Sequence, residues 1–294
     1  LTEAGACNLG TGGMIVAGYA IQESLRRRVF VVVLILSVGF LALFAWGTSA
    51  AFDEVRQNLD VGESPLRASE VAGGILLGLA MFAILFLGAV LAVFLTLGAV
   101  RGDAERGLLQ PILVRPISRP AVLAGRFLAA AVVCGAYVIV MFLASSAITR
   151  WAGDWWPDRV VVPALGMAGA VALIAALAVL GSVYLSGTAN GIAVFMLFGG
   201  GLVGGLLGQI GDALPSARLE RAGTLTSWGL PFEALYQNSL YGITADAEGF
   251  ERVIVELGPF GGAQAGGPAL WLWSAAYLVV VGLIASWAFS RRDL

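Results

Sequence analysis

The chain has 294 residues, 59% of them apolar and 12% charged, with a formal net charge of −2 and a mean hydropathy of +0.89. A soluble domain carries about 25% charged residues, so half the usual supply for a water-facing surface is missing, and lipid is the solvent that explains the deficit. All 17 basic residues are Arg, with no Lys and no His, which excludes a lysine-bearing phosphate loop, an HExxH zinc site, a His general base and a His-ligated haem.

In chain order, Leu1 to Gly13 is turn-rich and unpatterned and reads as an unstructured N-terminal extension; Met14 then opens a helical pattern and is a candidate start. No cleavable signal peptide is expected, because the first apolar run is long enough to span and lacks a small-residue cleavage site. In residues 14–28, Met14, Ala17, Ile21 and Leu25 share one face and Glu23, Arg26 and Arg27 the other. Such a helix suits the membrane interface, with its Arg side chains among headgroups; a plain basic flank of the first span is the alternative.

Uncharged runs then locate the spans: Val29 to Phe52, Val71 to Val100, Phe127 to Thr149, Val160 to Gly211 and Leu257 to Ser290. About 20 apolar residues cross a bilayer, so the 52-residue run from Val160 must hold two helices, with the polar stretch Ser186 to Gly191 as the turn between them. The predicted spans are 29–47, 73–100, 127–149, 163–184, 191–210 and 269–289. With the N-terminus in the cytoplasm, the inner segments hold ten of the 17 Arg and a net charge of +5, and the outer segments seven Arg and −7. Both ends inside satisfies the positive-inside rule, although the long segment from Asp212 to Pro268 weakens that count.

No ionisable residue falls in the predicted spans. Ion-coupled transporters bind their driving ion at membrane depth, channel filters use charged rings or carbonyl loops, and intramembrane enzymes need a nucleophile or metal. The spans hold none of these, so the energy for any work is expected to come from outside the chain. Cys7 and Cys134 form no ligand cluster, and Cys134 reads as an inert buried thiol. No residue is expected to be catalytic, no metal or cofactor is expected in this chain, and no basic stripe suits nucleic acid.

Three segments invite a role. The inner loop from Arg101 to Arg126 is too long for a turn: Asp103 can cap a short helix, Glu105 suits its positive end, and Leu108, Leu109, Ile112 and Leu113 recur at helical spacing, although Pro111 distorts it. An apolar stripe flanked by Arg suits a groove on a soluble partner; a solvated basic loop is the plain reading. The fifth span is glycine-dense, and Gly200, Gly201, Gly204, Gly205 and Gly208 give the spacing that lets helix backbones approach closely, either at a subunit interface, along a translocation path or within one subunit. Before the last span, Gly229 to Gly242 predicts a short outer helix started by Pro231, with Phe232, Leu235, Tyr236 and Leu240 on one face against Glu233, Gln237 and Asn238. It is expected to lie in the outer interface or to dip into the membrane as a lid.

These segments together resemble the membrane subunits of type 2 ABC exporters. The inner loop carries Glu105, Gly107 and Leu109, then Arg115, Pro116, Ile117, Ser118 and Arg119, then Gly125 and Arg126. Glu23 to Arg28 is similar to that family's elbow helix, Leu230 to Tyr236 to its outer segment before the last span, and Phe289 to Leu294 to its frequent ending. The resemblance covers nearly the whole chain after Met14. It implies an all-α polytopic fold over 14–294, with six transmembrane helices, an elbow helix and a cytoplasmic coupling helix, in a bacterial inner membrane. It also implies a permease paired with a second permease subunit and with cytoplasmic ABC ATPases, which would hold the ATP and Mg. Glu105, Arg106, Gly107, Leu108, Leu109, Arg115, Pro116, Ser118 and Arg119 would form the first coupling contact, and Ser186, Gly187 and Asn190 the second. Pro111, Pro120 and Arg126 depart from the pattern. A permease of a copper-processing maturation system and a non-transporting membrane scaffold are the alternatives.

Overall fold

The computed structural model describes residues 28–57, 65–96, 119–214, 216–243 and 264–291. Among them every regular element is helical: α1 (Arg28–Gln57), α2 (Pro65–Thr96), α3 (Arg119–Gly153), α4 (Val161–Tyr184), α5 (Gly187–Ala213), α6 (Ala217–Gly229), α7 (Pro231–Ile243) and α8 (Pro268–Ser290). Six of these, α1 to α5 and α8, are long and apolar enough to cross a membrane. The chain is a polytopic all-α membrane protein. The elbow segment and residues 101–118 lie outside the described residues.

The spans extend past their uncharged cores, because a helix stops at a breaker rather than at a charge. The first was predicted to end at 47 but continues to Gln57, where Arg56 pairs with Asp53 at 3.2 Å one turn back. The third begins at Arg119 rather than 127, with Pro120 tolerated in its first turn, where no intrahelical N–H is required. The second begins at Pro65 rather than 73, again with proline opening the helix. The turn predicted over Ser186 to Gly191 shrinks to Leu185 and Ser186. Gly187 already opens α5, and the Asn190 N–H donates to the Ser186 carbonyl at 2.8 Å.

Burial within the bundle ranks the spans. The apolar window of α4 is 61% buried and that of α1 only 11%, so α4 is the hub and α1 presents its surface to lipid or to another protein. α4 packs against α2, α3, α5, α7 and α8. Leu77, Met81, Ile84 and Leu85 of α2 meet Cys134, Val138 and Phe142 of α3 and Met167, Leu173 and Ile174 of α4 in one continuous core. At their closest approach a side chain on Gly88 would lie 2.8 Å from Val138 and 2.9 Å from Val171, so three helices converge on a position that only glycine fits. A second cluster, of Leu123, Val179, Val183, Ala285 and Phe289, joins α3, α4 and α8 near the face from which α1 starts.

Some polar groups between the spans are tied off locally, while the hydroxyls of Thr48, Ser145 and Ser274 are buried without a hydrogen-bond partner among the described residues. Ser37 donates to the Val33 carbonyl at 2.7 Å and shares a 2.6 Å hydrogen bond with the Tyr137 hydroxyl, joining α1 to α3. Arg56 donates to the Ala152 carbonyl at 2.7 Å and fastens the far ends of the same two helices. Cys134 is a buried free thiol, as its apolar surroundings imply.

Candidate functional site

Two regions answer to the segments singled out by sequence. One is the hairpin of α6 and α7, on the face opposite the start of α1. The other is the α4–α5 turn, on the face from which α1 starts.

The hairpin begins where α5 ends. α6 runs back antiparallel along α5: Gly211 lies against the backbone of Leu219 and Glu220, Gly208 against Gly223, and Gly204 against Thr226. A Cβ placed on Gly208 would sit 3.3 Å from the Cα of Gly223, so the two helices meet backbone to backbone. At the tip, Phe232 covers Gly201 and its ring stacks on Phe198 with centroids 5.8 Å apart. Gly201 is ten residues from Gly211, so the tip descends roughly 15 Å at 1.5 Å per residue, about half of a ~30 Å hydrocarbon core. α7 then climbs back along α4, with Leu235 against Gly169, Ser239 against Gly166 and Gly242 against Pro163. Backbone N–H groups of Asp158 and Arg159 close the return on the carbonyls of Ile243 and Gly242, at 3.4 and 3.2 Å.

A chain that reverses at such depth has to satisfy its backbone without water. It does so within the turn: the Leu230 N–H donates to the Thr226 carbonyl at 2.7 Å, and the Glu233 N–H donates to the Leu230 carbonyl at 3.2 Å. α8 and the segment leading into it supply two further ties. Trp273 donates its indole N–H to the Trp228 carbonyl at 3.1 Å, and the Gly266 N–H donates to the Asn238 side chain at 2.8 Å.

The sequence placed Phe232, Leu235, Tyr236 and Leu240 on one face of this helix, against Glu233, Gln237 and Asn238. Both faces of α7 are buried, and Glu233 is only 2% exposed. An isolated period of four cannot show that a second helix waits on the polar side, and α6, with Arg218, Glu220 and Arg221, did not read as a membrane-packed element at all. The signal was in α5: its glycines at 201, 204, 205 and 208 face α6 and α7 of the same chain, whereas a Cβ on Gly200 would meet nothing within 4 Å. Gly205 in particular makes room for the Glu233 carboxyl, to which Gln237 donates a hydrogen bond from one turn away.

At the opposite face, Ser186 is exposed and Gly187 partly so, with Tyr184, Leu185, Thr188 and Ala189 also exposed around them. Asn190 differs from the other two expected contact residues. It is 1% exposed and turned inward, its amide donating to the Ala178 carbonyl at 2.8 Å and its oxygen resting on Gly181. Its side chain sets the α4–α5 turn rather than facing a partner. Asn190→Ala is expected to cost about 1 kcal/mol, read as a lower melting temperature in detergent, while a change at exposed Thr188 leaves stability within about 0.5 kcal/mol. Arg119 opens α3 at the same face; the remaining expected coupling residues, Glu105 to Ser118, and the elbow residues Glu23, Arg26 and Arg27 lie outside the described residues.

Six candidate spans, a glycine-lined fifth span and a hairpin packed against it before the sixth define a polytopic membrane protein. The model of the ABC-2 family transporter protein matches residues 14–294, and the chain belongs to that family. It is accordingly an ABC transporter permease, a transport membrane subunit. No curated protein matches the chain. Nothing in the fold or the family favours the scaffold or the copper-processing alternative.

Proposed function

We propose that the chain is the permease of an ATP-driven exporter whose ATP and Mg sit on a separate cytoplasmic ABC ATPase. The observation that carries this reading is the contrast between its two faces. The face from which α1 starts offers an exposed turn, Tyr184 to Ala189, and is the face at which α2 ends and α3 begins. The other face is filled by a hairpin that reaches half-way into the bundle. A force applied at the first face would be transmitted by α4, which touches the turn, the core and α7; the hairpin, held on α5 by glycine contacts, would then move as an outer lid. The exposed turn lies in the cytoplasm in this reading, with both chain ends on the same side of a bacterial inner membrane.

A second permease subunit completes such a transporter. The stripe Ile192, Met196, Gly200 and Val203 on α5 is exposed and follows helical spacing, so it is the face on which that subunit would lie. The test of the whole reading is purification of the tagged chain from its native membrane in mild detergent. The expected result is a co-purifying protein with a GxxxxGK[ST] phosphate loop and Mg-dependent ATP hydrolysis in the eluate. An intact, homogeneous chain without either would overturn it.

A further inference from the structure

Between α5, α6 and α7 lies a cavity of about 160 Å³, lined by Gly205, Gly208, Glu220, Thr224, Glu233 and Gln237, with Gly223, Ser227 and Gln264 closing its wall. Glu233 is buried, and among the described residues its only side-chain partner is Gln237, which bonds one carboxyl oxygen. No described cation neutralises it, and a buried carboxylate without a counter-charge is costly. Gly205 leaves the room that the carboxyl occupies beside the cavity, which a side chain there would fill. Thr224 and Ser227 spend their hydroxyl protons on backbone carbonyls of α6, at 2.9 and 3.0 Å, which leaves their oxygens as acceptors. The wall is therefore rich in acceptors and carries two carboxyl groups, Glu233 and Glu220.

We infer that this cavity binds the primary ammonium group of an amphiphile resident in the outer leaflet. Three features select that chemistry. No grouping of three or more metal-ligating side chains occurs among the described residues, and the cavity is several times larger than the space one ion or water needs. Among the described residues no aromatic ring lines it, so a quaternary ammonium, which favours aromatic faces, finds no cage among them, whereas the three N–H donors of a primary ammonium meet the carboxyl, amide and hydroxyl oxygens. Gly205 and Gly208 lie six and three residues below Gly211, or roughly 5–9 Å along α5, which places the cavity in the outer third of a ~30 Å hydrocarbon core, where an amine arrives on an acyl chain. That depth favours a headgroup over a free amine, although the recognition chemistry is shared. The site does not rest on ATP coupling and stands or falls independently of the proposed drive.

The test uses the full chain in phosphatidylglycerol nanodiscs, titrated separately with lyso-phosphatidylethanolamine, lyso-phosphatidylcholine and ethanolamine, with the melting temperature as readout. The ethanolamine lipid should raise it saturably and the choline lipid should not. Glu233→Gln, which keeps shape and hydrogen-bonding capacity, should weaken the effect about tenfold or more, and Glu220→Gln, on exposed α6, should weaken it by less. If free ethanolamine acts as strongly as the lipid, the ammonium site stands with a soluble source. Equal responses to the two lipids, or an unchanged titration in folded Glu233→Gln, would overturn it; should Glu233→Gln fail to fold, an unchanged titration in Glu220→Gln would do so.

Discussion

Gly223→Val should lower the stability of the purified protein by about 1–3 kcal/mol, the usual cost of forcing atoms into a packed contact, and should abolish coupled transport. A Cβ on Gly223 would lie 2.8 Å from the Gly208 nitrogen and 3.3 Å from the Gly204 carbonyl oxygen. Both are backbone atoms of a spanning helix, so no rotamer change relieves the clash, and α6 must lift off α5. The hairpin tip is then displaced from Gly201, and Glu233 loses the wall at Gly205. Gly39→Val is the matched control, since nothing approaches within 4 Å there; it should leave the melting temperature nearly unchanged. If Gly223→Val melts with the wild type, α6 is not held on α5 as described.

The second large effect is expected at the other face. Leu108→Asp with Leu109→Asp should release the ATPase, because apolar anchors at the centre of an interface carry about 2 kcal/mol or more apiece, roughly 30-fold in affinity each. Leu185→Asp on the exposed turn should weaken the same complex to a smaller degree, since that turn offers only a short apolar surface. Leu185 is exposed, so folding of that variant, followed by circular dichroism and gel filtration, should be unchanged, and the same measurements serve as the control for the double variant. Undiminished co-purification of the ATPase with the double variant would place the drive elsewhere on the chain.

The six spans were legible because lipid leaves a coarse mark: a run of 23 or more uncharged residues is long enough to cross a hydrocarbon core and too apolar to face water. Their ends were not, since charge marks where the hydrocarbon stops while helices run on to the next proline or glycine, as at Pro65 and Gly153. The longest run was split by a turn over Ser186 to Gly191, but those polar residues look like loop in sequence and from Gly187 onward start a helix in the fold, because Asn190 finds its partner on α4. The hairpin was half visible. Pro231 announced α7, but α6 has a charged, weakly apolar sequence that reads as an outer loop, and only the glycines of α5 explain why it can lie against a span. Glu233 follows the same logic. A carboxyl within a polar-faced helix reads as solvated, and its burial depends on two other helices distant in sequence.

Glu233 also sharpens the question of drive. The spans carry no Asp, Glu, Arg, Lys or His at their centres, yet the hairpin brings one carboxyl into the protein interior, the kind of group on which an ion gradient acts. Spin labels at positions 46 and 225, on exposed faces of α1 and α6, report the separation of the hairpin from the bundle edge. In vesicles containing the chain and its ATPase, ATP with Mg should change that distance. In vesicles holding the chain alone, neither ATP nor an imposed proton or sodium gradient should change it. A shift in the chain alone under either gradient would show that the polypeptide harnesses an ion by itself and does not wait for a partner.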